Sequence, residues 1–225
     1  MKRFFFIILL MLAYAVSPHA FGQRVMGVVT GGFNLTHVEG DDVYGFRKLG
    51  LNAGVAAVVP FGEKWTFTLE TSYSRKGSHH KEGGRGMDYR YLHDYNQYKL
   101  QLNYVEVPVL VHFVDRTGIK GGLGFSYSRL VGVKEYEDNI RIATTTLNDG
   151  PYESNDYSML FDVEIPLYKQ LKLNARYSFS LFKIREREYF QGRNKGESLK
   201  QYNRAITLRL SWYFNEEVSR RSRRR

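Results

Sequence analysis

A regular alternation of apolar and polar residues, repeated along most of the chain, constrains its fold more than any other feature. In 65–74, the apolar residues Trp65, Phe67 and Leu69 are separated by single polar residues. Successive side chains of a β-strand point to opposite faces, whereas helical spacing cannot separate residues in this way. The pattern predicts eight strands, at 24–36, 49–59, 65–74, 98–113, 119–128, 157–167, 171–181 and 202–214.

The segment 98–113 is irregular. Its polar residues occupy odd positions up to Asn103 and even positions from Glu106 onward. A β-bulge inserts one residue and reverses the facing of the residues beyond it, and a proline within a strand favours an edge or a bulge. We therefore predict a bulge near Tyr104, shortly before Pro108. Two short strands with a break between them would fit the same pattern.

The links between the predicted strands alternate in length. Short turns lie at 60–64, 115–118 and 168–170, and long polar links lie near 37–48, 77–97, 129–156 and 182–201. Short periplasmic turns and long external loops are typical of up-and-down outer-membrane barrels. The fold class that we predict is all-β, an eight-stranded antiparallel up-and-down transmembrane β-barrel of the outer membrane.

The N-terminus has the features of an export signal. Lys2 and Arg3 precede an unbroken apolar run at 4–16, and small residues precede Gln23. This run is shorter than a membrane-spanning helix and is typical of a cleaved signal peptide, with an uncleaved anchor as the alternative. The predicted organisation is a signal peptide at 1–22, an outer-membrane barrel at 23–214 and a basic periplasmic tail at 215–225.

Charge and cysteine content exclude several classes of protein. The net charge of +10 alone would suggest a nucleic-acid or anionic-membrane partner. Export makes nucleic acid an unsuitable partner, and removal of Lys2 and Arg3 lowers the charge by two. Without cysteines, the chain has no disulfides, thiolate metal sites or cysteine nucleophile. No motif predicts a cofactor.

The apolar faces could point at lipid or, as in a soluble lipocalin-like barrel, at an internal ligand. Aromatic residues at the predicted strand ends favour lipid. They are Trp65, Tyr73, Tyr98, Phe113, Tyr157, Tyr168, Trp212 and Phe214. The polar faces carry both signs of charge, which can pair inside a narrow barrel. The predicted lumen network is Glu70, Glu106, Asp162, Glu164, Lys99, Lys120, Lys172, Arg176 and Arg209. Glu70, Glu106, Arg176 and Arg209 would act as a salt-bridged plug or, alternatively, as a gate or a proton or ion path.

Two strand motifs resemble those of a known family. Segment 70–77 contains Tyr73, Ser74, Lys76 and Gly77, and segment 104–110 contains Tyr104 and Pro108. Both resemble motifs of the Bacteroidetes outer-membrane β-barrel proteins, the porin-like or PorT-like superfamily. The resemblance implies an integral barrel in outer-membrane lipid, mostly of unassigned function, with some relatives serving type IX secretion. The outer-membrane assembly machinery would be its partner during biogenesis.

Three smaller groups of residues contain chemistry-bearing side chains. His79, His80, His93 and Asp94 could bind a metal, but their spacing matches no standard site. His112 with Ser126 or Ser128 could form a hydrolase pair, but no spacing enforces it. The loop 149–156 could bind calcium, but it lacks calcium-loop spacing. We therefore predict no catalytic, cofactor or metal site.

The basic tail holds Arg220, Arg221, Arg223, Arg224 and Arg225. Clustered arginines suit lipid phosphates or an acidic periplasmic partner, and a solvated tail is the alternative. The predicted function is that of a non-enzymatic outer-membrane barrel with a structural or surface-binding role carried by long extracellular loops. The alternatives are a small-solute channel and a component of type IX secretion.

Overall fold

The computed structural model describes residues 25–41, 45–81, 97–148, 150–191 and 194–216. The predicted signal peptide, His93, Asp94 and the tail arginines 220–225 lie outside the described residues. No described helix is long and apolar enough to cross a membrane.

Eleven strands form in the described residues. They are β1 (Met26–Glu39), β2 (Lys48–Phe61), β3 (Trp65–Lys76), β4 (His79–Lys81), β5 (Gln97–Val114), β6 (Lys120–Glu137), β7 (Ile140–Arg141), β8 (Asn155–Tyr168), β9 (Leu171–Ser180), β10 (Arg185–Gln191) and β11 (Asn194–Phe214).

Eight of these strands close into an antiparallel barrel, which confirms the predicted fold class. The order around the barrel is β1, β2, β3, β5, β6, β8, β9 and β11. Closure comes from β11, which pairs with β1 along 13 residue pairs from Gly27–Phe214 to Glu39–Tyr202. Both ends of the barrel wall, Met26 and Phe214, therefore lie at the same end of the molecule.

The three remaining strands extend the wall at the end that carries the long links. β4 pairs with β5, β7 with β6, and β10 with β11. At the opposite end, Gly62 and Gly118 adopt positive φ angles of 65° and 88° in two of the short turns. Glycine has no side chain to oppose this conformation, which lets the chain reverse within a few residues.

The alternation separates an apolar exterior from a polar interior along most of the wall. Leu123 and Phe125 are 54% and 61% exposed, whereas the Glu70 carboxylate, on the opposite face, is buried. Aromatic pairs lie at both rims, with Trp65 and Phe113 5.3 Å apart between ring centroids and Tyr127 and Tyr157 5.5 Å apart. This is the arrangement of a barrel solvated by lipid.

The predicted bulge exists, but it lies in the neighbouring strand. The register of β5 and β6 shifts between Asn103 and Tyr104, and Val131 of β6 is the residue left without a partner. β5 itself keeps its even-numbered residues inward throughout, whereas the inward positions of β6 change from even to odd beyond Leu130. The prediction of a phase change within β5 was therefore wrong.

Two residue assignments that depended on that prediction are also wrong. Lys99 is exposed on the outer wall and does not belong to the lumen, and Tyr98 is buried inside the barrel and does not lie at a membrane rim. The physical reason is that the outer half of β5 turns its apolar side chains inward. An alternating pattern gives the period of a strand but does not say which face is inside.

An apolar cluster fills the outer part of the interior, where the sequence predicted a polar lumen. It consists of Val38, Tyr98, Leu100, Leu102, Tyr104, Leu130, Val133, Tyr152 and Ile184. In this region, polar side chains such as Lys99 and Lys134 face outward. The wall is therefore apolar outside and polar inside along most of its height. At the end with the long links it is polar outside and apolar inside.

Candidate functional site

Glu70 of β3 is the centre of an ion-pair layer that crosses the lumen. Arg209 of β11 donates to its two carboxylate oxygens from Nη1 and Nη2, at 2.5 and 2.8 Å. Arg176 of β9 donates to the same two oxygens at 3.4 and 3.0 Å. Two guanidinium groups therefore hold one buried carboxylate by paired, charge-assisted hydrogen bonds.

Asp162 of β8 completes this central layer. Its Oδ1 accepts from Arg176 Nε at 2.6 Å, and its Oδ2 lies 3.1 Å from His112 Nε2 and 2.7 Å from Asn174 Nδ2. Two carboxylates thus face two guanidinium groups. Because each buried charge has an opposite partner, the layer avoids the high free-energy cost of an unpaired ion.

A second polar layer lies nearer the short turns. The Glu164 carboxylate is 2.9 Å from the ammonium of Lys120 and 3.6 Å from that of Lys172. Tyr213 donates its hydroxyl proton to Glu164 at 2.8 Å, and its ring lies 3.7 Å from the Lys172 ammonium. Lys172 also pairs with Glu216, at 2.9 Å. Lysines, carboxylates and an aromatic ring therefore block this end of the lumen.

A third ion pair lies between the central layer and the apolar cluster. The Lys76 ammonium is 2.7 Å from Glu106 and 3.8 Å from Asp156. It also lies 5.3 Å from the centroid of the Tyr104 ring, which belongs to the apolar cluster. Asn203 of β11 donates to Tyr104 and Asp156 at 3.2 and 3.0 Å.

The remaining motif residues have structural roles in the same part of the wall. Ser74 accepts a hydrogen bond from Asn34 at 2.8 Å, and Tyr73 lies on the outward alternation of β3. Gly77 has a φ of 137°, and a Cβ there would lie 2.2 Å from the Leu100 carbonyl oxygen, so only glycine fits. Pro108 faces inward opposite Ser126.

Beyond the apolar cluster, Glu135 of β6 joins the wall to the link between β7 and β8, residues 142–154, and to β10. Its buried carboxylate accepts from Tyr98 at 2.8 Å, from Thr145 at 2.7 Å and from Arg185 at 2.9 Å. Burial raises the pKa of Glu135, but the Arg185 guanidinium and these hydrogen bonds outweigh it and hold the pKa below its ordinary value. The side chain is therefore an anion that ties three segments together.

Of the nine charges that the sequence places in the lumen, eight are buried inside the barrel and Lys99 is not. Sequence reasoning missed Lys76, Asp156 and Glu216 as members of the lumen layers, and Glu135 and Arg185 at the mouth. Lys76 and Asp156 lie just beyond the ends of predicted strands. The alternation of β3 and β8 continues to these two residues, and extending the predicted strands by one or two positions would have included them.

The candidate enzyme and metal sites do not assemble in the described residues. His112 lies beside Asp162 and Thr68, and neither the Ser126 nor the Ser128 hydroxyl has a hydrogen-bond partner there. His79 and His80 lie on β4, and no described group of three His, Cys, Asp or Glu residues could hold a metal ion.

Little space remains beside the central layer. A cavity of about 20 Å³ lies between it and the Glu164 layer, lined by residues that include Glu70, Arg209 and Tyr213. That volume holds about one water molecule. The arrangement can stabilise and close the barrel, and it offers no room for a solute at this level.

Comparison with known proteins identifies one family. The sequence matches the family described as outer membrane protein beta-barrel domain over residues 21–186, more than half of the chain. A search of curated proteins gave no match.

Among solved structures, Ail, the attachment invasion locus protein of Yersinia pestis, aligns with a TM-score of 0.46 and 13% identity, covering 85% of this chain and 99% of that one. OprG from Pseudomonas aeruginosa aligns with a TM-score of 0.41 and 12% identity, covering 85% and 97%. A major outer membrane protein from Thermus thermophilus aligns with a TM-score of 0.44 and 11% identity, covering 87% and 100%.

Proposed function

The chain belongs to the outer membrane protein beta-barrel domain family, and from this premise we propose that it is a closed, non-enzymatic barrel that acts through its outer surface. It lies in the outer membrane, as its family does. Its function would be to hold the long external links as a binding surface above the membrane.

The observation that carries this proposal is the filling of the lumen at successive levels. From the short-turn end, the Glu164 layer, the Glu70 layer, the Lys76 pair and the apolar cluster follow one another. Each ion pair would have to break in a poorly solvated interior before an ion could pass. The apolar cluster adds a barrier to any charged solute because it offers no hydrogen bonds in exchange for hydration.

A small-solute channel is the competing function, and single-channel recording separates the two. Purified full-length protein is reconstituted into a planar bilayer, and an outer-membrane porin serves as the positive control. We expect no resolvable current steps at either polarity. Reproducible steps would overturn the closed-barrel function and favour the channel.

We also propose the finer assignments that the sequence suggested. The motifs at 73–77 and 104–108 support membership of the porin-like or PorT-like branch. A cleaved signal at 1–22 would deliver the chain to the assembly machinery. Because Met26 and Phe214 lie at the end with the short turns, the tail from 215 onward would extend into the periplasm.

A periplasmic partner of the tail can be tested by crosslinking in whole cells. The full chain is compared with one ending at Glu216, which retains the Lys172–Glu216 ion pair. If the tail binds a partner, such as a secretion component, a crosslinked band should be lost on truncation. Identical bands from the two chains would favour a solvated tail.

A further inference from the structure

A group of basic residues lies on the outer wall at the end with the long links. Arg75, His79, Lys99 and Lys134 occupy outward positions on β3, β4, β5 and β6. The register places them side by side, since His79 pairs with Lys99, Arg75 with Asn103, and Gln101 with Lys134. We call these four residues the basic patch.

Among the described residues, the basic patch has no acidic partner, whereas several other cations on the same rim have one. Elsewhere on this rim, Arg187 pairs with Glu137 at 3.2 Å, Lys183 with Glu186, and Arg204 with Glu39. In the part of the chain that the structure describes, neither Arg75, Lys99 nor Lys134 makes an ion pair with a carboxylate. The Arg75 guanidinium donates to the neutral Asn103 side chain, at 3.3 Å.

Lys48 lies on the other side of the wall from the basic patch, because it is on the inward face of β2 and pairs with inward Thr36 of β1. It is the first residue of β2 and is 8% exposed, without a carboxylate partner among the described residues. Burial, followed by repulsion from Lys99 and Arg75, lowers the pKa of Lys48 to about 8. A buried cation among other cations is an unfavourable arrangement that a bound anion would relieve.

The basic patch begins where the apolar exterior ends. On β5, the exposed apolar residue Val105 is followed toward the rim by outward Asn103, Gln101 and Lys99. On β6, exposed Val131 is followed by outward Lys134. Cations immediately beyond a lipid-facing apolar band lie at the depth of lipid headgroups, where they attract anionic lipids.

We propose that the basic patch binds the phosphate of an anionic lipid in the outer leaflet, while an acyl chain of that lipid packs beside Val105 and Val131. An arginine side chain can bind two phosphate oxygens at once, and lysines add point charges around them. The continuous apolar surface beneath the cations favours a lipid over a soluble anion. This proposal rests on the proposed function in one respect, because both require the end with the long links to lie at the external face of the outer membrane.

The test measures lipid binding to the full-length protein in a neutral detergent by native mass spectrometry. The probe is a glucosamine lipid carrying two phosphates, and the same lipid without phosphate is its comparison. The variant R75Q/K99Q/K134Q removes three charges from the basic patch. The control K64Q/R116Q/K169Q removes the same residue types from exposed short turns at the opposite end.

We expect the patch variant to weaken binding of the phosphorylated lipid by about fivefold per charge removed, about 100-fold in total. The control should change it by less than about twofold, within the range of exposed charges far from a site. Equal binding of the phosphate-free lipid, or an unchanged affinity in the patch variant, would overturn the proposal.

A competition experiment tests whether the site prefers a lipid or a free anion. Inorganic pyrophosphate at millimolar concentration should not displace the lipid, and full displacement would show that the site takes soluble phosphates. Lipid binding and conductance are separate readouts. A conducting barrel with an intact lipid site would overturn only the closed-barrel function, and a silent barrel without lipid binding would overturn only this inference.

Discussion

Glu70 is the single residue on which the central layer of the lumen depends most directly. Its carboxylate holds both Arg176 and Arg209, so removing it leaves two guanidinium groups facing each other in the interior. We expect Glu70→Ala to lower the free energy of unfolding by about 3–5 kcal/mol, the cost of breaking a buried pair. This free energy is measured by unfolding the protein in urea in lipid vesicles. The loss of the heat-sensitive gel mobility shift reports the unfolded fraction.

The matched control for Glu70 is Glu63→Ala, which removes an exposed carboxylate from a short turn. It should change the free energy of unfolding by less than about 0.5 kcal/mol. If Glu70→Ala behaved like this control, the two arginines would have to be solvated in the lumen, and the filled-lumen description would fail.

Lys48 gives a prediction of opposite sign. Its pKa is lowered from 10.5 to about 8 by burial, then by Lys99 and Arg75. The unfolded chain therefore binds this proton more tightly, so its contribution to stability is unfavourable below about pH 8 and becomes less so as the pH rises toward 10.5. We expect Lys48→Gln to raise the urea midpoint at pH 7 in neutral detergent, and the difference to shrink at pH 10.

The same substitution should reduce the stability that the phosphorylated lipid adds, because the Lys48 ammonium would no longer contribute to the positive field around Lys99 and Arg75. A ligand that binds only the folded state stabilises that state, and Lys48→Gln would weaken the binding of the lipid. The variant should therefore gain less stability from the lipid than the parent chain. A lower midpoint for Lys48→Gln without lipid would show that the ammonium is already compensated within the protein.

At the scale of strands, the sequence predicted the period and the order of the barrel but not the facing of every segment. In β3, β8 and β9, one face is clearly apolar and the other clearly polar. The charged residues that these strands contribute to the lumen could therefore be assigned from the alternation alone. In the outer half of β5, both faces are plausible, because Leu100 and Leu102 fit lipid as well as an interior. The inner half of β5, with Glu106 and His112 inward, sets the facing of the whole strand, and the extra Val131, which no local rule identifies, brings β6 into the matching facing.

The link between β7 and β8, which carries Thr145 and Tyr152, depends on Glu135 for its attachment to the wall. Burial raises the pKa of this carboxyl group, but Arg185 and the hydrogen bonds lower it further, so its folded value lies below the ordinary one. Its stabilising contribution is present above the ordinary carboxyl pKa and is lost as the pH falls through the lowered one. We expect amides near Thr145 and Tyr152 to lose protection from hydrogen exchange in acid but to keep it at neutral pH.

The substitution Glu135→Gln isolates the charge from other effects of acid. It should expose the same amides at neutral pH, after correction for intrinsic exchange rates, while Glu63→Gln at the opposite end leaves them protected. Protection that persists in acid and in Glu135→Gln would show that the apolar contacts of Tyr152 and Ile184 hold this link without the carboxylate.

For the whole molecule, the exchange of apolar and polar faces along the barrel axis is the feature that the sequence could not foresee. A barrel that crosses lipid is apolar outside, and a wall that continues into water must become apolar inside. The transition lies inside the predicted range of β5, where Tyr98, Leu100 and Leu102 face inward, and beyond the predicted end of β6. For β6 the missing quantity was the strand length, since a long polar link and an extended strand end look alike in an alternating sequence. For β5 it was the choice of the inward face.

The successive closures of the lumen lead to a last prediction. Because they use different chemistry at different depths, opening one should leave the others intact. We expect E70A/R209A in the central layer, Y213A in the Glu164 layer and L100A/L102A in the apolar cluster each to remain without resolvable current steps in a planar bilayer. Each variant must first show the gel mobility shift of a folded barrel.

The three variants separate a redundant closure from a single gate. If one of them alone conducted, that level would be the only barrier, and the remaining side chains would have to leave a continuous aqueous path around them. The structure argues against such a path, because a cavity of about 20 Å³ separates the two lower layers and the apolar cluster fills the lumen above the Lys76 pair. A barrel closed in this way can meet its surroundings only at its outer wall and rim, and the basic patch lies there.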